Sequence, residues 1–329
     1  MNILIITSVN YKQNGGILTQ QNILIEILKN NGFEVELFIL NKGKNKLYDF
    51  YLPFKPRDLY FKKKYEIVLL NDPHVGRLTW FTLLNKIKNK KKIYLFSHGW
   101  IFHDSQSIFR KIVFKMLSTI ALSSIDKIFC VSPEDLQAVN FASNARLLWN
   151  PVVKIFDGLL NELSFNGEFV FIGMNNENKN LKKLILVFSH ESMKLFKLHI
   201  IGSGTEQLKT LSKNVKIHGE ITDEKIDNIL KKSSYYISLS KYEGFGISIV
   251  EAMSYGLQAF LSNNVAHKYH IHQSKSGIIL DYEINSMVDQ INNFVAKKNE
   301  VPIESLINYA SKYSVDVFQH ELLHELRKT

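Results

Sequence analysis

Residues 235–256 read Tyr235-Tyr236-Ile237-Ser238-Leu239, then Ser240-Lys241-Tyr242-Glu243-Gly244-Phe245-Gly246, then Ile247-Ser248-Ile249-Val250-Glu251-Ala252-Met253-Ser254-Tyr255-Gly256. The first five form a short, mostly apolar run before a polar loop, which predicts a buried strand ending at Leu239. Two glycines sit in the loop. From about Ile247 the chain turns into a helix. A buried strand, a glycine-bearing loop and a helix, in that order, form half of a parallel crossover unit.

The same unit recurs along the chain. In the first half strands are predicted at residues 3–8, 33–40, 67–70, 93–96 and 127–131, with a helix carrying Ile23, Leu24, Ile27 and Leu28 after the first. In the second half they fall at residues 169–173, 197–201, 215–218, 235–239 and 259–261, with a helix over 181–188. Alternation of this kind predicts an α/β chain of two Rossmann-like, doubly wound parallel-sheet domains. The expected boundaries are 1–155 and 165–302. A terminal helical segment, 303–329, has no strand after it and is expected to pack across the domain junction.

Composition excludes several classes. The 329 residues are 45% hydrophobic and 22% charged, which is ordinary for a folding chain and too apolar for disorder. The single cysteine, Cys130, has no internal partner, so a reducing compartment is expected. No apolar run reaches the length of a membrane span, and residues 1–6 read as a strand without a basic leader. A cytoplasmic location follows as an expectation.

The charge is one-sided. Residues 1–150 hold 21 basic and 11 acidic residues, so all of the chain's +10 excess lies in the first half. Two stretches there interleave rings with lysines: Phe54-Lys55-Pro56-Arg57 leading to Tyr60-Phe61-Lys62-Lys63-Lys64-Tyr65, and Trp80-Phe81 leading to Lys86, Lys88 and Lys90-Lys91-Lys92. Such surfaces suit an anionic membrane face. No nucleic-acid motif is present, so nucleic acid is not an expected partner.

Ligands of open parallel sheets bind beyond the carboxyl ends of the strands, where loops enter helices. In the opening stretch, exposed amides at the helix start favour an anion such as a diphosphate, and glycines let the backbone approach it. Glu243 lies before the helix and Glu251 about one turn inside it.

This string, Glu243-Gly-Phe-Gly-x4-Glu251-Ala-Met-x2-Gly256, resembles the E-x7-E signature of retaining GT-B glycosyltransferases, glycosyltransferase family 4. The resemblance covers nearly the whole chain. It implies the GT-B architecture, in which two Rossmann-like domains face a cleft. It further implies a retaining, metal-independent hexosyltransferase that takes a nucleotide diphosphate sugar, with a UDP-sugar favoured. The implied acceptor is a saccharide or lipid-linked saccharide in bacterial surface polysaccharide or lipopolysaccharide synthesis. No cofactor is implied beyond the donor itself.

By match, Glu243 contacts the donor sugar, the backbone of Phe245, Gly246, Ile247 and Ser248 holds the diphosphate, and Glu251 binds the ribose. Lys179 matches the family's phosphate-neutralising lysine, while Met174 stands where the family carries an arginine. Gly202 and Gly219 match the glycine-rich and base-binding turns, and His218 and Glu220 flank the latter. Gly15-Gly16 matches a double-glycine loop approaching the donor phosphate. His98 matches a histidine near the transferred sugar. Gln258 stands where the motif has proline. The chain has no Asp-x-Asp, the usual metal-holding signature of the alternative transferase fold. Two other readings stay open at this stage: a nucleotide-sugar epimerase or hydrolase on the same frame, and a non-catalytic partner, which Met174 favours.

Overall fold

The computed structural model describes residues 1–7, 16–39, 65–71, 91–97, 116, 119, 122–156, 166–297 and 301–328. The chain divides into two compact units: residues 1–151 with 318–329, and residues 152–317.

The first unit is a six-stranded parallel sheet of order β2-β1-β3-β4-β5-β6. Its strands are β1 (Asn2–Thr7), β2 (Glu34–Ile39), β3 (Ile67–Leu70), β4 (Lys92–Ser97), β5 (Lys127–Cys130) and β6 (Ala145–Leu147). They read as near-continuous apolar runs because both faces are covered. Ile3, Leu4, Ile5 and Ile6 are fully buried. Helix α1 (Gly16–Asn30) lays Ile23, Leu24, Ile27 and Leu28 into this core. It ends where Gly32 takes a left-handed conformation. The short α2 (Pro133–Ala138) is capped by Ser132, whose hydroxyl accepts from the Asp135 amide at 3.1 Å. Cys130 is a buried free thiol, and burial raises its pKa well above the ordinary range.

The second unit is also a six-stranded parallel sheet, of order β12-β11-β10-β7-β8-β9. Its strands are β7 (Glu168–Ile172), β8 (Lys197–Ile201), β9 (Val215–Gly219), β10 (Tyr235–Ser238), β11 (Gln258–Ser262) and β12 (Ile278–Leu280). Between them run α3 (Leu181–Phe188), α4 (Asp223–Leu230), α5 (Ile247–Ser254) and α6 (Val265–Ser274). After β12 come α7 (Ile284–Ala296), α8 (Ile303–Ser311) and α9 (Val315–Arg327). Phe169 centres the core, with ring centroids 4.7 Å from Tyr235, 5.2 Å from Phe188 and 5.2 Å from Phe260. Burying each such ring contributes roughly 1.5–3 kcal/mol.

The strand order positions the site. From β7 the chain winds outward to β8 and β9, then returns to lay β10 on the other side of β7, pairing Tyr235 with Phe169 and Tyr236 with Val170. The loops leaving β7 and β10 therefore diverge from adjacent strands. A crevice at such a reversal is where parallel sheets bind ligands.

The terminal segment divides between the units. Helix α8 packs on α5 and α6 of the second unit, and residues from Phe318 onward group with the first. There Lys127 pairs with Glu325 at 3.2 Å.

Candidate functional site

Asn178 joins the two loops at the reversal. Its side-chain oxygen accepts from the Tyr242 amide at 3.0 Å, and its side-chain nitrogen donates to the Tyr242 carbonyl at 2.8 Å. Its own carbonyl accepts from the Lys241 amide at 2.8 Å. From the other side, Asn264 and Ser262 donate to the Ser240 carbonyl at 2.9 and 2.6 Å. The segment before Glu243 is thus held at both flanks.

Lys179 closes a 3-10 turn over Glu177–Lys179, capped by Asn176, whose side-chain oxygen accepts from the Lys179 amide at 3.1 Å. Asn180, left-handed at φ 55°, then launches α3. This turn delivers the Lys179 ammonium onto the Glu243 carboxylate. The pair is direct, and the two side chains are only 17% and 16% exposed. Two residues singled out separately in the sequence, 64 positions apart, are one ion pair.

Beyond Glu243 the chain enters α5. A Cβ at Gly244 would meet open space, whereas at Gly246 (φ +89°) it would lie 2.7 Å from Ile249 Cδ1. No side chain caps the helix start. The first amides of a helix have no partner within it and form its positive end, so this start suits an anion. The side chain of Phe245 is buried. The Ser248 hydroxyl is taken up by Tyr236, 2.8 Å away, so Ser248 offers its backbone to the site.

Glu251 lies one turn inside α5 and is mostly enclosed. Burial pushes its carboxyl up to about 7; Lys154 opposes the rise, and Asp223 and Asp227 add to it. Lys154 is itself paired with Asp223 at 2.6 Å. Where the resembling motif has proline, Gln258 opens β11 and donates its amide to the Ser234 carbonyl at 3.2 Å, a bond proline cannot make.

Gly202 and Gly219 bond to each other: the Gly202 amide donates to the Gly219 carbonyl at 2.9 Å. Gly202 must lack a side chain, because a Cβ there would sit 2.2 Å from the Gly173 oxygen. These glycines bring the turns after β7, β8 and β9 into contact. His218 is engaged by His199, ring nitrogens 2.9 Å apart. Met174 is 40% exposed. Gly16 opens α1 of the first unit, while Gly15 and His98 lie outside the described residues. So do the aromatic-basic stretches, apart from Tyr65, Lys91 and Lys92. Among the described residues, no group of three or more His, Cys, Asp or Glu is arranged to hold a metal.

Sequence reasoning missed two residues on α6. His267 is fully buried and its Nδ1 is 2.9 Å from the Ser262 carbonyl. Desolvation lowers its pKa to about 4, with the Glu243 charge raising it and the Lys179 charge lowering it. Its Nε2 has no hydrogen-bond partner among the described residues. The second is His270, also fully buried, which bonds to the Phe245 carbonyl at 2.5 Å. The one available signal was Asn264, an N-cap whose side chain accepts from the His267 amide at 2.9 Å.

Two parallel-sheet Rossmann-like units, the second with its strand order reversing beside β7, match the fold of the GT-B class of glycosyltransferases. Solved structures of that class superpose over the whole chain. The apo lipopolysaccharide outer core galactosyltransferase WaaB gives a TM-score of 0.75 at 15% identity, covering 100% of this chain and 99% of that one. HepE from Anabaena, in complex with UDP and glucose, gives 0.72 at 16% identity, covering 100% of both.

The sequence of the second unit carries the closer relationship: residues 165–313 match the family described as Glycosyl transferases group 1. Curated relatives agree over shorter spans. The amylovoran biosynthesis glycosyltransferase AmsD of Erwinia amylovora is 28% identical over 134 residues, covering 39% of this chain and 38% of the relative. The GDP-mannose:cellobiosyl-diphosphopolyprenol alpha-mannosyltransferase of Xanthomonas oryzae pv. oryzae is 23% identical over 229 residues, covering 64% of this chain and 60% of the relative. The matches thus span less than two thirds of either curated relative.

Proposed function

We propose that this chain is a retaining glycosyltransferase that moves a hexose from a nucleotide diphosphate sugar to a saccharide or lipid-linked acceptor, in synthesis of a bacterial surface polysaccharide or lipopolysaccharide. The observation that carries the reading is the Lys179–Glu243 pair beside the uncapped start of α5, with Glu251 one turn further in. In this reading the α5 amides and Lys179 receive the diphosphate, Glu243 the transferred sugar, and Glu251 the ribose. The bond from the sugar's anomeric carbon to the phosphate oxygen breaks as the acceptor oxygen attacks the same face. The acceptor's proton passes to the departing phosphate. Lys179 and the helix start stabilise the negative charge growing on that phosphate without calling on a metal, which is electrostatic catalysis by preorganised groups.

The names of the similar proteins support this class of substrate: one concerns a polysaccharide, one a diphosphopolyprenol acceptor, one lipopolysaccharide, and one was solved with UDP and glucose. A UDP-sugar is the favoured donor, with a GDP-sugar as the rival. The basic first half is proposed to rest on an anionic membrane face. No helix among the described residues is long and apolar enough to cross a membrane.

The test is a thermal-shift screen against UDP-, GDP- and ADP-sugars, followed by nucleotide release with and without acceptor. One sugar nucleotide should raise the unfolding midpoint, and release should depend on acceptor. No shift with any donor would overturn the reading. Binding without turnover would favour the non-catalytic partner that Met174 raises.

A further inference from the structure

Behind the α5 start lies a chain of hydrogen bonds that the proposed transfer does not use. His270, on α6, places Nε2 2.5 Å from the Phe245 carbonyl and Nδ1 2.7 Å from the Tyr309 hydroxyl of α8. Tyr313 donates in turn to the Tyr309 oxygen at 3.2 Å. The directions are determined by chemistry. A carbonyl only accepts, so Nε2 carries the proton; in a neutral ring Nδ1 then accepts, and Tyr309 must donate to it. Burial lowers the His270 pKa to about 4, so the ring is neutral near pH 7. The rings also pack together: Phe245 lies 5.1 Å from His270 and 5.1 Å from Tyr313, centroid to centroid.

The Phe245 carbonyl belongs to the peptide whose amide is that of Gly246. In a trans peptide the two point in opposite directions, and the described residues contain no cis bond. Holding the carbonyl inward on His270 therefore turns the Gly246 N–H outward, on the side of the α5 start. We infer that His270, Tyr309 and Tyr313 form a positioning relay that fixes the Phe245–Gly246 peptide so that the Gly246 amide faces the donor's diphosphate. The inference rests on the proposed nucleotide-sugar reading of that site. These residues touch no substrate and act through the peptide they hold, so an element late in the chain governs the loop.

The test uses the full chain and three variants, with two readouts. Tyr309→Phe removes the donor to Nδ1, His270→Leu removes the donor to Phe245, and His270→Gln keeps an N–H near the Nε2 position. The first readout is amide hydrogen exchange without ligand. Peptides covering residues 243–249 should exchange about tenfold faster in Tyr309→Phe and His270→Leu, with β10 and β11 unchanged. The second is calorimetric affinity for UDP, GDP and ADP against the matching monophosphates. The diphosphate that binds should weaken about tenfold in both variants, as expected for one hydrogen bond to a charged group. The monophosphate should hold, and His270→Gln should recover most of the loss. A merely structural role would weaken both nucleotides together and lower protection across the unit, and that result overturns the inference. So does unchanged loop exchange in folded Tyr309→Phe and His270→Leu. Faster loop exchange in a chain that binds none of the three diphosphates would sustain the relay and sink the donor reading instead.

Discussion

Glu251→Gln should make the protein more stable and a poorer binder at once. The Glu251 carboxyl, pushed by burial to about 7 from an ordinary 4.5, keeps a proton in the folded chain that the unfolded chain releases. Between those two values the folded state binds more protons, so stability falls as pH rises, and the full cost is present above pH 7. At about 1.4 kcal/mol per pKa unit, the cost at pH 8 is about 3 kcal/mol. Glutamine resembles the protonated acid and cannot ionise. The variant should match the wild type near pH 4 and exceed it by about 3 kcal/mol at pH 8. Taking the difference between the two proteins cancels the buried histidines: His267 and His270, both lowered to about 4, act on both chains alike and destabilise as pH falls. The assay is urea unfolding at several pH values, with amide exchange of β10 and β11 reporting on the second unit. Donor affinity is measured in parallel and, on the proposed reading, should fall, because glutamine keeps only one of the two acceptor oxygens that would meet the ribose. A stability difference that does not change with pH, or a variant less stable at pH 8, would refute the burial argument.

Lys179→Ala and Glu243→Ala should each lower turnover by about a hundredfold or more, and the double variant should be little worse than either, measured by nucleotide release. Gly202→Ala should lower stability by about 3 kcal/mol or more, seen as an earlier urea midpoint, because its Cβ would fall 2.2 Å from the Gly173 oxygen on a backbone at φ +136°. Asn178→Ala deletes the two side-chain bonds to Tyr242 and should cost about 1–3 kcal/mol, with turnover falling further than the stability loss alone explains. Neutralising Lys62, Lys63 and Lys64 together should reduce sedimentation with anionic vesicles, with activity on a soluble acceptor retained; undiminished sedimentation would assign this basic stretch to another partner.

Most strands were legible because parallel strands buried on both faces must be apolar throughout, so runs such as Ile3 to Ile6 and Phe169 to Phe171 stand out. β6 and β12 were not, since three residues each are too few to show a pattern. The candidate site was legible as residues and illegible as an arrangement. Glu243 was flagged by its glycine-bearing loop and Lys179 by the family resemblance, but their contact depends on β10 lying beside β7, a non-local pairing absent from the order of residues along the chain. His267 and His270 escaped for a different reason. Helix α6 buries Ala266, His267, His270 and Ser274, a helical spacing filled mostly by polar residues, so an apolar stripe never forms. Only the hydrogen bonds show why those positions are inside: each buried ring has a carbonyl to bond, Ser262 for one and Phe245 for the other.

The Lys179–Glu243 pair bears on how a donor would enter. Without ligand, each charge satisfies the other in a partly enclosed setting, where removing one partner strands the other. On the proposed reading, a diphosphate gives Lys179 a more highly charged partner, and the freed carboxylate then needs a hydroxyl. A nucleotide carrying its sugar supplies both. A nucleotide without one supplies only the first and leaves Glu243 uncompensated. On that reading the same two side chains that are proposed to act on the transfer would also discriminate donor from spent product. Asn178, which ties the two loops together, would on that reading keep their backbones in register while the pair parts to admit the donor.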